Sequence, residues 1–175
     1  MITLPQLLES RDVRAKHQKD LLLAYPGCTL VCLTVQLPGP EKRTPESLLI
    51  GGAGLAALLD RFGSVLSHTH TRDLPTGYEA YFLIPLDPFG VKRICCAIED
   101  THPLGRMMDI DVFSPSAAEQ DVLQPLRRED LGLTARQCLL CGLPARECMR
   151  MKSHSREELL ECIRSKVNNY LSVSE

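Results

Sequence analysis

Residues 65–84, Val65-Leu66-Ser67-His68-Thr69-His70-Thr71-Arg72-Asp73-Leu74-Pro75-Thr76-Gly77-Tyr78-Glu79-Ala80-Tyr81-Phe82-Leu83-Ile84, decide the fold. Two extended runs, Val65 to Arg72 and Tyr78 to Ile84, flank the turn signal Leu74-Pro75-Thr76-Gly77, so they read as neighbouring strands. Working outward, a helical pattern stands on each side. Upstream, Thr44-Pro45 opens a helix with Leu55, Leu58, Leu59 and Phe62 at helical spacing. Downstream, Asp87-Pro88 caps another with Val91, Ile94, Cys95 and Ile98 on one face. Beyond these lie two further strands. Thr29 to Leu37 is a continuous apolar and β-branched run, the mark of a strand covered on both faces, and it stops at Pro38-Gly39-Pro40. Met107 to Phe113 is the other. The order β-α-β-β-α-β predicts an α+β fold with a ferredoxin-like core, in which right-handed crossovers put both helices on one face of a four-stranded antiparallel sheet.

The flanks add helices. Leu4 to Ala24 reads as an N-terminal helix, capped by Thr3 with Gln6 and carrying Pro5 in its first turn. Residues 114–134 form a polar connection. A cysteine-rich turn follows, then a helix from about Arg156 to Leu171 with Ser155 and Glu158 as its capping box. The expected division is a catalytic α+β domain, 1–134, and a C-terminal Cys-rich element, 135–175.

The chain has 175 residues and a formal net charge of −2, which argues against a general nucleic-acid or anionic-membrane binder. No apolar run is read as approaching a membrane span, and the N-terminus lacks a signal-peptide layout, so a cytoplasmic protein is expected. Of the eight cysteines, Cys28, Cys32, Cys95 and Cys96 lie in apolar runs and read as small core hydrophobes.

The most informative stretch for chemistry is His102-Pro103-Leu104-Gly105-Arg106-Met107-Met108-Asp109-Ile110-Asp111-Val112. Asp109 and Asp111 are two apart on a strand, so both point to one face. Side-by-side carboxylates repel unless a cation sits between them, and Mg²⁺ favours one or two carboxylates plus phosphate oxygens. Arg106 stands near enough in sequence to reach the same phosphates with its planar fork. An isolated Asp-x-Asp is more often a solvated face; the apolar neighbours Met107, Met108, Ile110 and Val112 favour a metal-binding edge here.

Other candidates compete with plainer readings. Gly39, Lys42 and Arg43 before a helix start suit phosphate binding, or equally a rigid solvated loop. Gly51-Gly52-Ala53-Gly54 lies inside a helical stripe and reads as close packing rather than a phosphate loop. His68 and His70 alternate on a strand without an evident third ligand, so no metal is expected there. Arg127 and Arg128 read as solvated cations, or as cations that meet an acidic partner. Cys138, Cys141, Cys148 and His154 form a zinc-type set, which three thiolates and one imidazole would close as a structural site; the alternative is three packed cysteines and a surface histidine.

Four pieces fall in one order: Leu37-Pro38-Gly39-Pro40 with Lys42; Leu74-Pro75-Thr76-Gly77; His102-Pro103-Leu104-Gly105-Arg106 with Asp109 and Asp111; and Cys138-Leu139-Leu140-Cys141-Gly142 with Cys148, Arg150 and His154-Ser155. Together they resemble the citrate lyase holo-acyl-carrier-protein synthases, or apo-citrate lyase phosphoribosyl-dephospho-CoA transferases. The resemblance implies transfer of a phosphoribosyl-dephospho-CoA group from 2'-(5''-triphosphoribosyl)-3'-dephospho-CoA to a serine of the acyl-carrier (gamma) subunit of citrate lyase, with diphosphate leaving. It implies Mg²⁺ on Asp109 and Asp111, one of them accepting the serine proton, and diphosphate held by Arg106 and Lys42, with Gly39, Gly105 and His102 in the substrate site. A nucleotidyltransferase-like α/β fold is the alternative architecture, since that superfamily shows a similar Asp-x-Asp. A non-catalytic zinc-stabilised module that binds the carrier or the lyase complex is the alternative function.

Overall fold

The computed structural model describes residues 2–173. Helix α1, Leu4–Ala24, begins at Thr3, whose hydroxyl accepts the Gln6 N–H while the Gln6 side chain accepts the Thr3 N–H. Strand β1, Thr29–Val35, leads through the proline-rich loop to α2, Pro45–Phe62. Strands β2, His68–Leu74, and β3, Gly77–Ile84, form the hairpin, with Leu74 opposite Gly77 across the two-residue turn. Helix α3, Pro88–Thr101, is capped by Asp87, and β4, Met108–Phe113, follows. A short α4, Ala145–Met151, and α5, Arg156–Val173, end the described chain.

The sheet order is β2-β3-β1-β4 and every pairing is antiparallel. Each helical crossover therefore passes over one strand: β1-α2-β2 skips β3, and β3-α3-β4 skips β1. The fold is α+β. Among the described residues it contains none of the parallel strand neighbours on which an α/β arrangement is built.

Alternation along the strands sorts side chains into two layers. Val31, Leu33, Ala80, Phe82, Ile110 and Val112 meet Ile50, Leu58 and Phe62 of α2 and Val91, Cys95 and Ile98 of α3. Ile163 and Val167 of α5 join this same core. Leu30, Cys32, Tyr81, Leu83 and Phe113 meet Leu21 and Leu22 of α1 on the other face. Burying one leucine-sized side chain contributes about 2 kcal/mol, so these layers supply the main stabilisation.

Three readings change, and the close-packing reading of the α2 glycines holds. The first strand of the hairpin begins at His68, because Gly63–Val65 continues α2 as a 3₁₀ turn. Leu59 of the expected stripe is exposed, while Gly51 and Gly54 face inward. A Cβ at Gly51 would lie 2.4 Å from the Tyr78 ring and one at Gly54 2.8 Å from Leu33, so close packing does require these glycines. The stretch Pro45–Val65, mean hydropathy 1.4, is long and apolar enough to cross a membrane by length and composition. Here Ile50, Leu58 and Phe62 are buried in the core, which accounts for its apolar character.

Candidate active site

Strand β4 lies at the edge of the sheet, so its outward backbone groups need partners from elsewhere. Side chains supply most of them. The Ile110 N–H donates to Glu99 Oε1 at 2.9 Å, and Lys92 Nζ donates to the Ile110 carbonyl at 2.9 Å. Arg136 Nη2 donates to the Met108 carbonyl at 2.6 Å. The Leu126 N–H donates to the Val112 carbonyl at 2.8 Å. Edge capping thus draws a charged network from α3 and two loops onto one strand.

The network continues outward. Arg136 Nη1 lies 3.2 Å from Asp109 Oδ1 and 3.7 Å from Glu99 Oε1. Arg128 bridges Glu99 at 3.2 Å and Asp100 at 2.5 Å. Burial pushes the Glu99 carboxyl above the usual range, although Arg136 opposes this.

A cleft of about 750 Å³ opens against this network. Lys92, Arg106, Arg127, Arg128, Arg136, Arg146 and Lys152 line it, against Glu99, Asp109, Asp111 and Glu129. Cations outnumber acids here although the whole chain is slightly acidic, so positive charge is concentrated locally. Arg106 and Asp111 are among the lining groups whose side chains have no hydrogen-bond or ion-pair partner among the described residues. Burial, then the neighbouring Arg136 charge, lowers the Arg106 guanidinium from its ordinary value. Burial, then the charge of Asp109, pushes the Asp111 carboxyl up to about 6.

Of the residues singled out in sequence, Arg106, Asp109 and Asp111 come together in the cleft. Gly39, Lys42, Gly105 and His102 do not line it. Lys42 Nζ instead donates to the Leu37 carbonyl at 2.5 Å, tying down its own loop. Gly39 adopts φ +89°, and a Cβ there would lie 2.9 Å from Cδ of Arg156. Gly105 packs onto the end of α3, where a Cβ would come within 2.5 Å of the Ile98 carbonyl. His102 caps α3, and its Nδ1 accepts the Leu104 N–H at 3.0 Å. Burial lowers its pKa.

Lys92, Glu99 and Arg136 escape sequence reading, and Arg128 is paired rather than solvated. The one available signal was the polar positions of α3 that interrupt its apolar face. His70 does find a partner: its Nε2 lies 2.8 Å from Nε2 of His17 on α1.

Cys138, Cys141, Cys148 and His154 converge, with all four candidate ligand atoms within 4.8 Å of one another. Cys141 Sγ is 3.4 Å from Cys148 Sγ and 3.3 Å from His154 Nε2. Four ligands around one ion at a Zn–S distance of about 2.3 Å would stand about 3.7 Å apart, so the cluster can hold a metal such as zinc with small adjustment. Burial opposes ionisation of Cys138, yet the N–H groups of Leu140 and Cys141 bring its thiol down to about 7. Cys138, Cys148 and His154 also line the cleft.

Fold and site together define an α+β protein with a locally cationic cleft, an acidic pair on an edge strand and a thiol–imidazole cluster in the cleft wall. The family described as apo-citrate lyase phosphoribosyl-dephospho-CoA transferase matches residues 2–170. A probable apo-citrate lyase phosphoribosyl-dephospho-CoA transferase of Streptococcus pyogenes serotype M3 is 32% identical over 172 residues, covering 98% of this chain and 88% of that one. The Escherichia coli O1:K1 transferase of the same description is 34% identical over 171 residues, covering 96% and 90%. Protein CitXG of Haemophilus influenzae is 33% identical over 172 residues, which are 97% of this chain but 36% of that longer protein. The chain belongs to the apo-citrate lyase phosphoribosyl-dephospho-CoA transferase family, and it is a transferase.

Proposed function

We propose that the cleft beside β4 is where this transferase moves phosphoribosyl-dephospho-CoA from its triphosphoribosyl donor to a serine of the citrate lyase acyl-carrier subunit. The observation that carries this reading is the pairing of an unpartnered carboxylate, Asp111, with an unpartnered guanidinium, Arg106, in a cleft rich in cations. A binding module needs no such unsatisfied charges, and keeping them costs stability.

In this reading the serine oxygen forms a bond to the first phosphorus of the donor triphosphate. The bond from that phosphorus to the bridging oxygen breaks, and diphosphate leaves. Asp111 accepts the serine proton, since a carboxyl raised to about 6 is nearly ionised at neutral pH yet basic enough to be useful. Asp109 is less suited, being tied to Arg136. Arg106 and Arg136 neutralise the leaving diphosphate, which is the largest contribution available to phosphoryl transfer. Lys42 acts at one remove by fixing Leu37 in the cleft wall.

Asp109 and Asp111 also fit a divalent cation: they share a strand face, and Asp111 is pushed up by the charge of Asp109. Mg²⁺ held by this pair would neutralise charge on the reacting phosphate. Zinc in the Cys138, Cys141, Cys148 and His154 cluster would be structural, since four protein ligands leave no open position. We place the catalytic core in residues 1–134, with 135–175 contributing Arg136 and completing the cleft wall, in a cytoplasmic protein.

Donor binding tests the reading. Arg106→Ala should weaken donor affinity by about tenfold or more in calorimetry while the fold is kept, a typical loss for a charge-assisted contact. Unchanged affinity would remove Arg106 from the site.

A further inference from the structure

We propose that the exposed face of α4, with Leu143 and Lys152 at its ends, is the docking surface for the acceptor, which presents an acidic surface around its serine. The proposal rests on the assignment of the cleft as the transfer site. Because the acceptor serine belongs to a folded protein, the body of that protein must rest on the cleft rim while the serine enters.

One part of the rim is built for this. Cys148 is buried in the thiol–imidazole cluster and anchors the helix. Its neighbours turn outward: Met149 is 69% exposed, Met151 66% and Leu143 50%. Large apolar side chains grouped at such exposure mark an interaction surface, and methionine adapts to irregular partners. Among the described residues Arg146, Arg150 and Lys152 have no ion pair, in contrast to Arg128 and Arg136 within the cleft. Glu147 is the one acid of the segment. Met149, Arg146 and Lys152 line the cleft itself, so patch and site are continuous. Unpaired cations around an apolar centre suit an acidic protein surface, with charge setting encounter rate and orientation. Continuity with the cleft favours a protein acceptor over a lipid surface, which offers no free serine hydroxyl to the site.

Arg150 and Met151 carry the test, because both are exposed and neither lines the cleft. Initial rates of loading are measured against apo-carrier concentration for wild type, Arg150→Glu and Met151→Asp, at low and high salt, with donor affinity measured separately. In both variants KM for the carrier should rise by about tenfold, with kcat and donor affinity unchanged. The wild-type KM should also rise with salt, and less so in Arg150→Glu. Unchanged carrier KM in both variants, while Asp111→Asn still abolishes loading, would overturn the docking surface and leave the site assignment standing. Binding of phosphatidylserine vesicles that Arg150→Glu abolishes, with carrier KM unaffected, would overturn it in favour of a lipid-facing patch. Failure of wild type to load the carrier would overturn the site assignment, and the docking surface with it.

Discussion

Glu79 and Asp111 project from the same face of the same sheet, on β3 and β4, yet their surroundings are opposite. Glu79 is 1% exposed and surrounded: Arg14 lies 2.8 Å away, Arg72 3.5 Å, and the Tyr81 hydroxyl donates a short hydrogen bond. Asp111 is partly open to the cleft and has no partner of its own. Both are carboxylates withdrawn from water, but only one is compensated. A satisfied buried charge fixes packing, here by pinning α1 to the sheet through Arg14. An unsatisfied one at a cleft is poised for a ligand's cation or proton.

Two substitutions and a change of pH can break this contrast. Asp111→Asn should lower carrier loading by about a thousandfold, as loss of a central electrostatic group in phosphoryl chemistry does, without loss of stability. Retained loading would place Asp111 with Glu79 as a structural acid. Glu79→Gln should instead destabilise the chain by about 3 kcal/mol in denaturant unfolding, because Arg14 and Arg72 lose their counter-charge. An unchanged midpoint would show the cluster to be expendable.

The pH dependence sharpens the same point. Asp111 binds its proton more tightly folded than unfolded, since its pKa is raised to about 6. In buffer without divalent cation, its contribution therefore favours folding as pH falls from 7 through 6, and Asp111→Asn should remove that part of the curve. Loading should fall over the same window as the carboxylate is protonated. A stability curve identical in wild type and Asp111→Asn would contradict the raised value. For the thiol–imidazole cluster, protein purified without chelator should carry about one zinc per chain, and a strong chelator should lower Tm. Metal analysis showing none would leave four free side chains. The smallest effect is expected from Lys42→Ala, a change of KM below about threefold, because its ammonium is bound to its own loop rather than to substrate.

The fold was legible because its signals are local. Thr3, Thr44, Asp87 and Ser155 each cap the helix they were read to cap. The period of two put Asp109 and Asp111 on one face, and the apolar run of β1 announced a central strand. The site was only half legible. Arg136 and Glu99 reach β4 across 27 and 11 residues of chain, and beyond the polar positions that interrupt the apolar face of α3 nothing announces the meeting. Lys42 shows the opposite case: a flexible cation beside a glycine suits phosphate or a rigid loop equally, and its ammonium donates to a carbonyl five residues back. Spacing found the cysteine cluster because metal ligands leave a sequence pattern, whereas ion pairs between distant segments leave none.

The most direct measurement is the rate of mass gain of the apo carrier subunit with donor and Mg²⁺, taken for wild type, Asp111→Asn and Glu79→Gln at equal concentrations of folded protein. The account predicts that Glu79→Gln loads the carrier within a few-fold of wild type while folded Asp111→Asn leaves it at the apo mass. Loading by Asp111→Asn at the wild-type rate would contradict it.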